Sequence, residues 1–335
     1  MLDRLRRVAT RAALAAPGPV LAAIAGGSVR RDGRTLDPQL AAALAGAARL
    51  HIPGPHELGS VPEGRVHAAR SLALFDTAPR PMAQVIDTAA PGPGGPIPIR
   101  IYRPRAAASS MLVYFHGGGG VIGSIASYDA TVRLLADESR CVIASVEYRL
   151  APEHPHPAAV DDALAAWAWL VAQAPARTID PARIGVGGDS FGGYLSAMIG
   201  QRAPIKPRRS FLIYPLLDLT NSSPSYETFA DGFMLTESLI SWFRGNYTPD
   251  PAPRRAASPF FLDDVSRTPP TTIITAGFDP LRDEGEIWAQ RLAIAGAEVT
   301  YRCHDSLIHG FVQMALIRGA RAAIDQLCAD LRDLL

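Results

Sequence analysis

From Gln84 onward the chain alternates between short apolar runs and longer stretches with helical spacing. Strand-like runs fall at 84–88, 97–102, 111–115, 141–146, 183–186, 210–214, 271–275 and 298–303. Several are continuous Val/Ile/Leu stretches, the pattern required of strands buried on both faces. Helix-like segments at 127–137, 158–174, 194–202, 283–295 and 313–334 separate or follow most of them. Strands alternating with helices predict an α/β fold: a mainly parallel sheet with helices on both faces. The first two runs are joined by Gly92-Pro93-Gly94-Gly95, a turn signal that predicts an antiparallel hairpin at the start of the sheet.

Two intervals depart from this rhythm. Residues 1 to about 80 are rich in Ala, Leu and Arg with scattered prolines, and read as short helices. Between Leu217 and Thr268 no strand signal occurs, but prolines stand at 224, 249, 251, 253 and 259 around a helix-like stretch at 236–247. The expected organisation is an N-terminal cap segment over 1–80 and an α/β domain over 81–335, with a second cap insertion at about 218–260.

Composition adds mostly exclusions. The 335 residues are 48% hydrophobic and 19% charged, enough apolar material for one large core. Net charge is +1, so bulk electrostatics favour neither nucleic acid nor an acidic partner. Lys206 is the only lysine, and the arginines are scattered without forming a patch. Cys141, Cys303 and Cys328 are too few for a disulfide framework; Cys141 and Cys303 lie in strand-like runs and are expected as small buried apolar residues. There is no metal-ligand spacing and no Walker A loop. Arg4, Arg6, Arg7 and Arg11 precede an apolar stretch at 12–25, an arrangement similar to a secretory signal. Asp3, Pro17 and Pro19 favour instead an amphipathic helix lying on the folded body. A cytoplasmic location is therefore expected, with secretion or weak lipid-surface contact through this segment as the alternatives.

The chemistry begins at Gly188-Asp189-Ser190-Phe191-Gly192, a G-x-S-x-G sequence between a strand-like and a helix-like run. A serine on a tight strand-to-helix turn is lifted clear of the sheet, and flanking glycines relieve the crowding. Serine needs a base, and the base needs an orienting carboxylate. Asp279 stands just beyond the strand-like run 271–275, and His309 lies in a loop after 298–303, giving the chain order Ser, Asp, His. His304 and Asp305 compete for these roles; Gly310, directly after His309, favours His309 through a tight inward loop. His116-Gly117-Gly118-Gly119-Gly120 follows the run 111–115, and its main-chain N–H groups, with that of Phe191, suit a developing oxyanion. His116 is expected to hold this loop and not to take part in chemistry. A rival reading takes Gly118-x-Gly120-x-x-Gly123 with Glu147 as a dinucleotide fingerprint, implying an NAD-dependent oxidoreductase. It leaves Ser190, Asp279 and His309 without a task, and 124–128 is a poor helix start.

In combination with Tyr148-Arg149-Leu150-Ala151-Pro152-Glu153-His154-Pro155, Pro157 to Asp162, Asp279-Pro280-Leu281-Arg282-Asp283-Glu284 and His309-Gly310-Phe311, these motifs resemble the bacterial hormone-sensitive-lipase-like esterases from about residue 84 to the end. The resemblance implies an α/β-hydrolase fold with an eight-stranded, mostly parallel sheet and a helical cap. It implies a serine carboxylesterase acting on short to medium acyl esters through an acyl-enzyme, with no metal or organic cofactor. Ser190 carries over as nucleophile, His309 as base and acid, Asp279 as orienter, and Gly117, Gly118 and Phe191 as oxyanion donors. His116, Gly119 and Asp189 carry over as supports. Glu147 also reads as a support, and the charges of Arg149, Glu153, Asp161 and Asp162 as braces of a rigid loop. The family usually has alanine where Phe191 stands and an aromatic residue where Gly120 stands, so the pocket differs in shape. An amide hydrolase or acyltransferase would use the same residues, and a ligand-binding relative would not need them. A homodimer paired through the last strand is a further expectation.

Overall fold

The structure, a computed structural model, describes residues 10–335; Asp3, Arg4, Arg6 and Arg7 lie outside the described residues. The strand-like runs pair into one sheet: β1 (Gln84–Gly92), β2 (Gly95–Arg103), β3 (Met111–Phe115), β4 (Val142–Val146), β5 (Ile184–Asp189), β6 (Ser210–Ile213), β7 (Thr271–Phe278) and β8 (Val299–Ile308). Their spatial order is β8-β7-β6-β5-β3-β4-β2-β1. Contacts β1/β2 and β2/β4 are antiparallel, and the other neighbours are parallel. Every residue of β3 to β7 is buried, which is why those runs carry no polar alternation. The expected hairpin is the β1–β2 connection, with Gly92 opposite Gly95.

Helices α1 (Gly18–Ala25), α2 (Pro38–Arg49) and α3 (Val61–Leu72) precede the sheet. Later come α4 (Asp129–Ser139), α5 (Ala158–Gln173), α6 (Phe191–Arg202), α7 (Glu237–Tyr247), α8 (Arg282–Ile294) and α9 (Arg318–Leu334). The two faces of the sheet are sorted by alternate side chains. Leu112, Tyr114, Ile213 and Ile274 pack with α4 and α9, whereas Val113, Phe115, Val186 and Leu212 face α5, α6 and α8.

Two elements differ from the sequence expectation. The last strand does not stop at Cys303 but runs to Ile308, with a register irregularity between His304 and Ile308. The N-terminal segment pairs with this extension: Asp37 N–H donates to the Ser306 carbonyl at 2.9 Å, and Arg34 reaches Asp305 at 2.9 Å. That segment also contains a two-stranded ribbon, Arg30–Arg31 against Arg34–Thr35, in a stretch expected to be helical. Between Leu217 and Thr268 the structure has no strand, as expected, and α7 is the longest helix there.

Candidate active site

Ser190 stands between the last residue of β5 and the first of α6. Its backbone is held at φ 54° and ψ −114°, a conformation that costs on the order of 1–3 kcal/mol for a residue with a side chain. The turn is fixed by Ser190 N–H donating to the Ile213 carbonyl at 2.8 Å, and by the Ser190 carbonyl accepting from Leu216 N–H and Tyr194 N–H at 3.1 Å each. It also explains the flanking glycines. A Cβ on Gly192 would collide with the Phe115 carbonyl, and one on Gly188 would lie 2.6 Å from the Gly192 main chain.

Asp279 follows β7 and is fully buried; His309 follows β8 and is 6% exposed. Parallel strands bring these ends to one rim. There His309 Nε2 lies 2.9 Å from Ser190 Oγ, and His309 Nδ1 lies 2.8 Å from Asp279 Oδ2. The other oxygen, Asp279 Oδ1, accepts from Leu281 N–H at 2.9 Å, so the carboxylate cannot turn away. Gly310, at φ 81°, opens the tight turn Phe311–Gln313 that follows. The Tyr214 ring packs 4.6 Å from the imidazole. The competitors are occupied elsewhere: His304 is a residue of β8 with its ring against Phe311, and Asp305 is paired with Arg34.

The glycine loop after β3 needs one correction. Gly117 was expected to offer its N–H to an oxyanion. That N–H instead donates to Asp189 Oδ1 at 3.0 Å, with Tyr128 Oη at 3.2 Å. A single proton committed to a buried carboxylate is not available to a substrate. Gly118, Gly119 and Gly120 have φ of 114°, 61° and 73°, conformations that only glycine adopts readily. Gly118 and Gly119 line the cavity in front of Ser190, and their N–H groups donate to no protein acceptor among the described residues. Phe191 opens α6, so its N–H is one of the free donors at a helix N-terminus.

The two departures from the family pattern are one structural exchange. A Cβ on Gly120 would meet Phe191 Cζ at 2.8 Å and Tyr247 Cδ2 at 3.0 Å. The Phe191 ring fills the space over Gly120, among Tyr148, Tyr194 and Tyr247 at centroid distances of 5.7, 5.1 and 4.7 Å. It is completely buried and does not line the cavity.

Asp189 was expected as a support, but sequence reasoning missed the tyrosines that make it a hub beneath the site. Asp189, 2% exposed, accepts from Tyr114 Oη at 2.8 Å and Tyr128 Oη at 2.9 Å, besides Gly117 N–H. Tyr214 Oη lies 3.4 Å from the same carboxylate and accepts from Val312 N–H at 3.3 Å. One carboxylate thus ties the glycine loop, the serine turn and the histidine loop together. Burial pushes its pKa up, opposed by the phenol hydrogen bonds. The available signal was three tyrosines in otherwise apolar surroundings, since a buried phenol requires a partner. His116 is wholly buried, with Nδ1 2.8 Å from the Gly117 carbonyl and its ring stacked 4.5 Å from Tyr148. Burial pulls its pKa down to about 4, with the Gly117 hydrogen bond opposing, so it holds the loop as a neutral ring.

Around this hub, Glu147 accepts from Ile125 N–H at 2.7 Å, in the turn after the glycines. The dinucleotide reading fails on the same geometry: Gly118 O caps Val121 and Ile122 N–H, and no helix begins before Asp129. Arg149 grips buried Asp162 and Arg65 holds Glu153, whereas exposed Asp161 acts on Arg149 only through its charge. In the Asp279 to Glu284 motif, Arg282 pairs with Asp32 at 2.7 Å, and buried Glu284 accepts from Leu217 N–H at 2.5 Å. Burial raises the Glu284 pKa well above the usual carboxylate range. Cys141 and Cys328 are buried, and Cys303 is half-buried. Among the described residues no group of His, Cys, Asp and Glu is placed to hold a metal, and no helix is long and apolar enough to cross a membrane.

The eight-stranded sheet, with its strand order and a serine elbow at the rim, defines the α/β-hydrolase fold. Residues 112–313 match the sequence profile of that fold family. The carboxylic ester hydrolase LipN of Mycobacterium tuberculosis is 40% identical over 313 residues, covering 89% of this chain and 83% of LipN. An ethyl acetate hydrolase of Pseudomonas putida is 37% identical over 235 residues, covering 67% of this chain and 74% of that protein. The solved structure of a hyperthermophilic esterase from Pyrobaculum calidifontis superimposes with a TM-score of 0.83 at 36% identity, covering 89% of this chain and 98% of the other. The chain belongs to the hormone-sensitive-lipase-like esterases of the α/β-hydrolase fold.

Proposed function

We propose that the chain is a serine carboxylesterase with Ser190 as nucleophile, His309 as base and acid, and Asp279 as orienter. The observation that carries this reading is the hydrogen-bonded line from Ser190 Oγ to His309 Nε2 at 2.9 Å and from His309 Nδ1 to Asp279 at 2.8 Å. With Nδ1–H donating to buried Asp279, the Nε2 lone pair faces the serine hydroxyl and takes its proton as Oγ attacks an ester carbonyl. The oxyanion rests on the N–H groups of Gly118, Gly119 and Phe191. A donor of this kind typically lowers the barrier by about 3 kcal/mol. His309 then protonates the departing alcohol, and a water deprotonated by the same ring releases the acid. The esterase names of the relatives support the same chemistry.

Residues before about 80 and the insertion at about 218–260 act in this reading as a two-part cap, since both contribute walls to the cavity that opens on Ser190. The test is hydrolysis of p-nitrophenyl butyrate. Ser190→Ala and His309→Ala should each lose at least 10³-fold in kcat with an unchanged melting temperature, and His304→Ala should lose less than tenfold. Undiminished turnover in Ser190→Ala refutes the assignment. A large loss in His304→Ala with a small one in His309→Ala moves the base to His304.

A further inference from the structure

The cavity in front of Ser190 measures about 950 Å³, near the upper end of the roughly 300–1,000 Å³ usual for small-molecule sites. Ser190, Gly118, Gly119 and His309 occupy one wall. The N-terminal segment contributes Leu14, Leu21, Ile24, Leu44, Leu72 and Phe75 to the same lining. Helix α2 contributes small residues to this lining, Ala43, Gly46 and Ala47 among them. Several of the polar side chains that reach the cavity have internal partners. His56 Nε2 lies 3.0 Å from Ser238 Oγ, His67 Nε2 lies 3.4 Å from Ser71 Oγ, Arg244 donates to Ser241 at 3.4 Å, and Glu57 caps Gly54 N–H. Leu50 and Ile52 also border the cavity, and they are 75% and 48% exposed. Glu57, Asp231 and Ser238 are exposed lining residues too, so the exposed part of the lining mixes polar and apolar groups.

We propose that this chamber takes one long hydrocarbon arm of the ester, on the order of ten carbons or more, which a site of this size accommodates. The proposal rests on the esterase reading and specifies its substrate class. A butyrate ester of a small alcohol would leave most of the volume to water held against hydrocarbon walls. Each methylene moved into the chamber should raise kcat/KM by up to about fourfold until the space is full. The arm is the acyl chain or the alcohol, and the experiment separates the two.

The intact enzyme is assayed with p-nitrophenyl esters of two to sixteen carbons and, in parallel, with acetates of alcohols of matching length. In one of the two series kcat/KM should rise at least tenfold from four carbons to ten. Ala47→Phe and Ala43→Phe, checked for folding by their melting temperatures, should each move the optimum to shorter chains and cut the ten-to-four-carbon ratio at least tenfold. Ser190→Ala protein should bind dodecan-1-ol at least tenfold more tightly than butan-1-ol, and Ala47→Phe in that background should abolish the difference. Rates that peak at four to six carbons in both series, or a profile that neither plug alters, overturn the proposal. If no ester of any length is hydrolysed, the esterase reading fails, and the alcohol-binding comparison still decides whether the chamber holds a long chain.

Discussion

Phe191 has two separable parts, and Phe191→Ala tells them apart. Its main-chain N–H belongs to the proposed oxyanion site, whereas its ring fills the space over Gly120 between Tyr148, Tyr194 and Tyr247. Removing a fully buried phenyl ring from such a position costs about 3–5 kcal/mol. A chain of 335 residues has an unfolding entropy of about 0.7 kcal/mol/K, so the melting temperature should fall by about 4–7 °C. The N–H survives the substitution, so kcat on a butyrate ester should change by less than tenfold. Adding Gly120→Phe should restore only part of the stability, because the φ of 73° at that position costs about 1–2 kcal/mol for an L side chain. The measurements are calorimetric melting and steady-state hydrolysis on the same preparations. An unchanged melting temperature refutes the claim that the ring fills a void. A 10³-fold loss of kcat with the fold intact refutes the separation of ring from main chain.

Two further variants probe the scaffold. Asp189→Asn weakens the charge-assisted bonds to Tyr114, Tyr128 and Gly117, and should lower stability by about 2–4 kcal/mol and kcat at least tenfold with KM little changed. Urea unfolding and initial rates read both effects, and a wild-type kcat would show that the hub does not position the glycine loop. Buried His116 has a pKa of about 4 against an ordinary 6.5, so between those pH values the unfolded chain binds the additional proton. Stability present above pH 6.5 should be lost as the pH falls toward 4, by about 3 kcal/mol in all. His116→Asn should flatten that part of the stability–pH curve, and identical slopes for the two proteins would contradict the assignment.

Much of this was legible in the chain because its local and tertiary requirements agree. β3 lies where the continuous run at 111–115 places it, since a strand covered on both faces admits no other composition. Ser190, Asp279 and His309 could be found because each follows a strand-like run, and a parallel sheet delivers such ends to one rim. The failures have tertiary causes. β8 extends past Cys303 because Arg34 pairs with Asp305 and Asp37 N–H with the Ser306 carbonyl, and no local pattern reports a partner about 270 residues away. The ribbon at Arg30–Thr35 did carry a local signal: Asp32-Gly33, with φ of 52° and 73°, is a hairpin turn hidden among arginines. Gly117 reads like its neighbours in sequence, and only the carboxylate of Asp189 beneath it removes its N–H from the oxyanion site. The exchange of bulk between positions 120 and 191 is likewise a matter of which side chain fills a shared space.

Hydrolysis by this site requires that His309 make Ser190 nucleophilic. The most direct measurement is the rate and position of covalent labelling by a fluorophosphonate, followed by peptide mapping. One adduct per chain, on Ser190, forming at least a hundredfold more slowly in His309→Ala, is the expected result. An adduct on another residue, or labelling of Ser190 at the same rate without the imidazole, would contradict it.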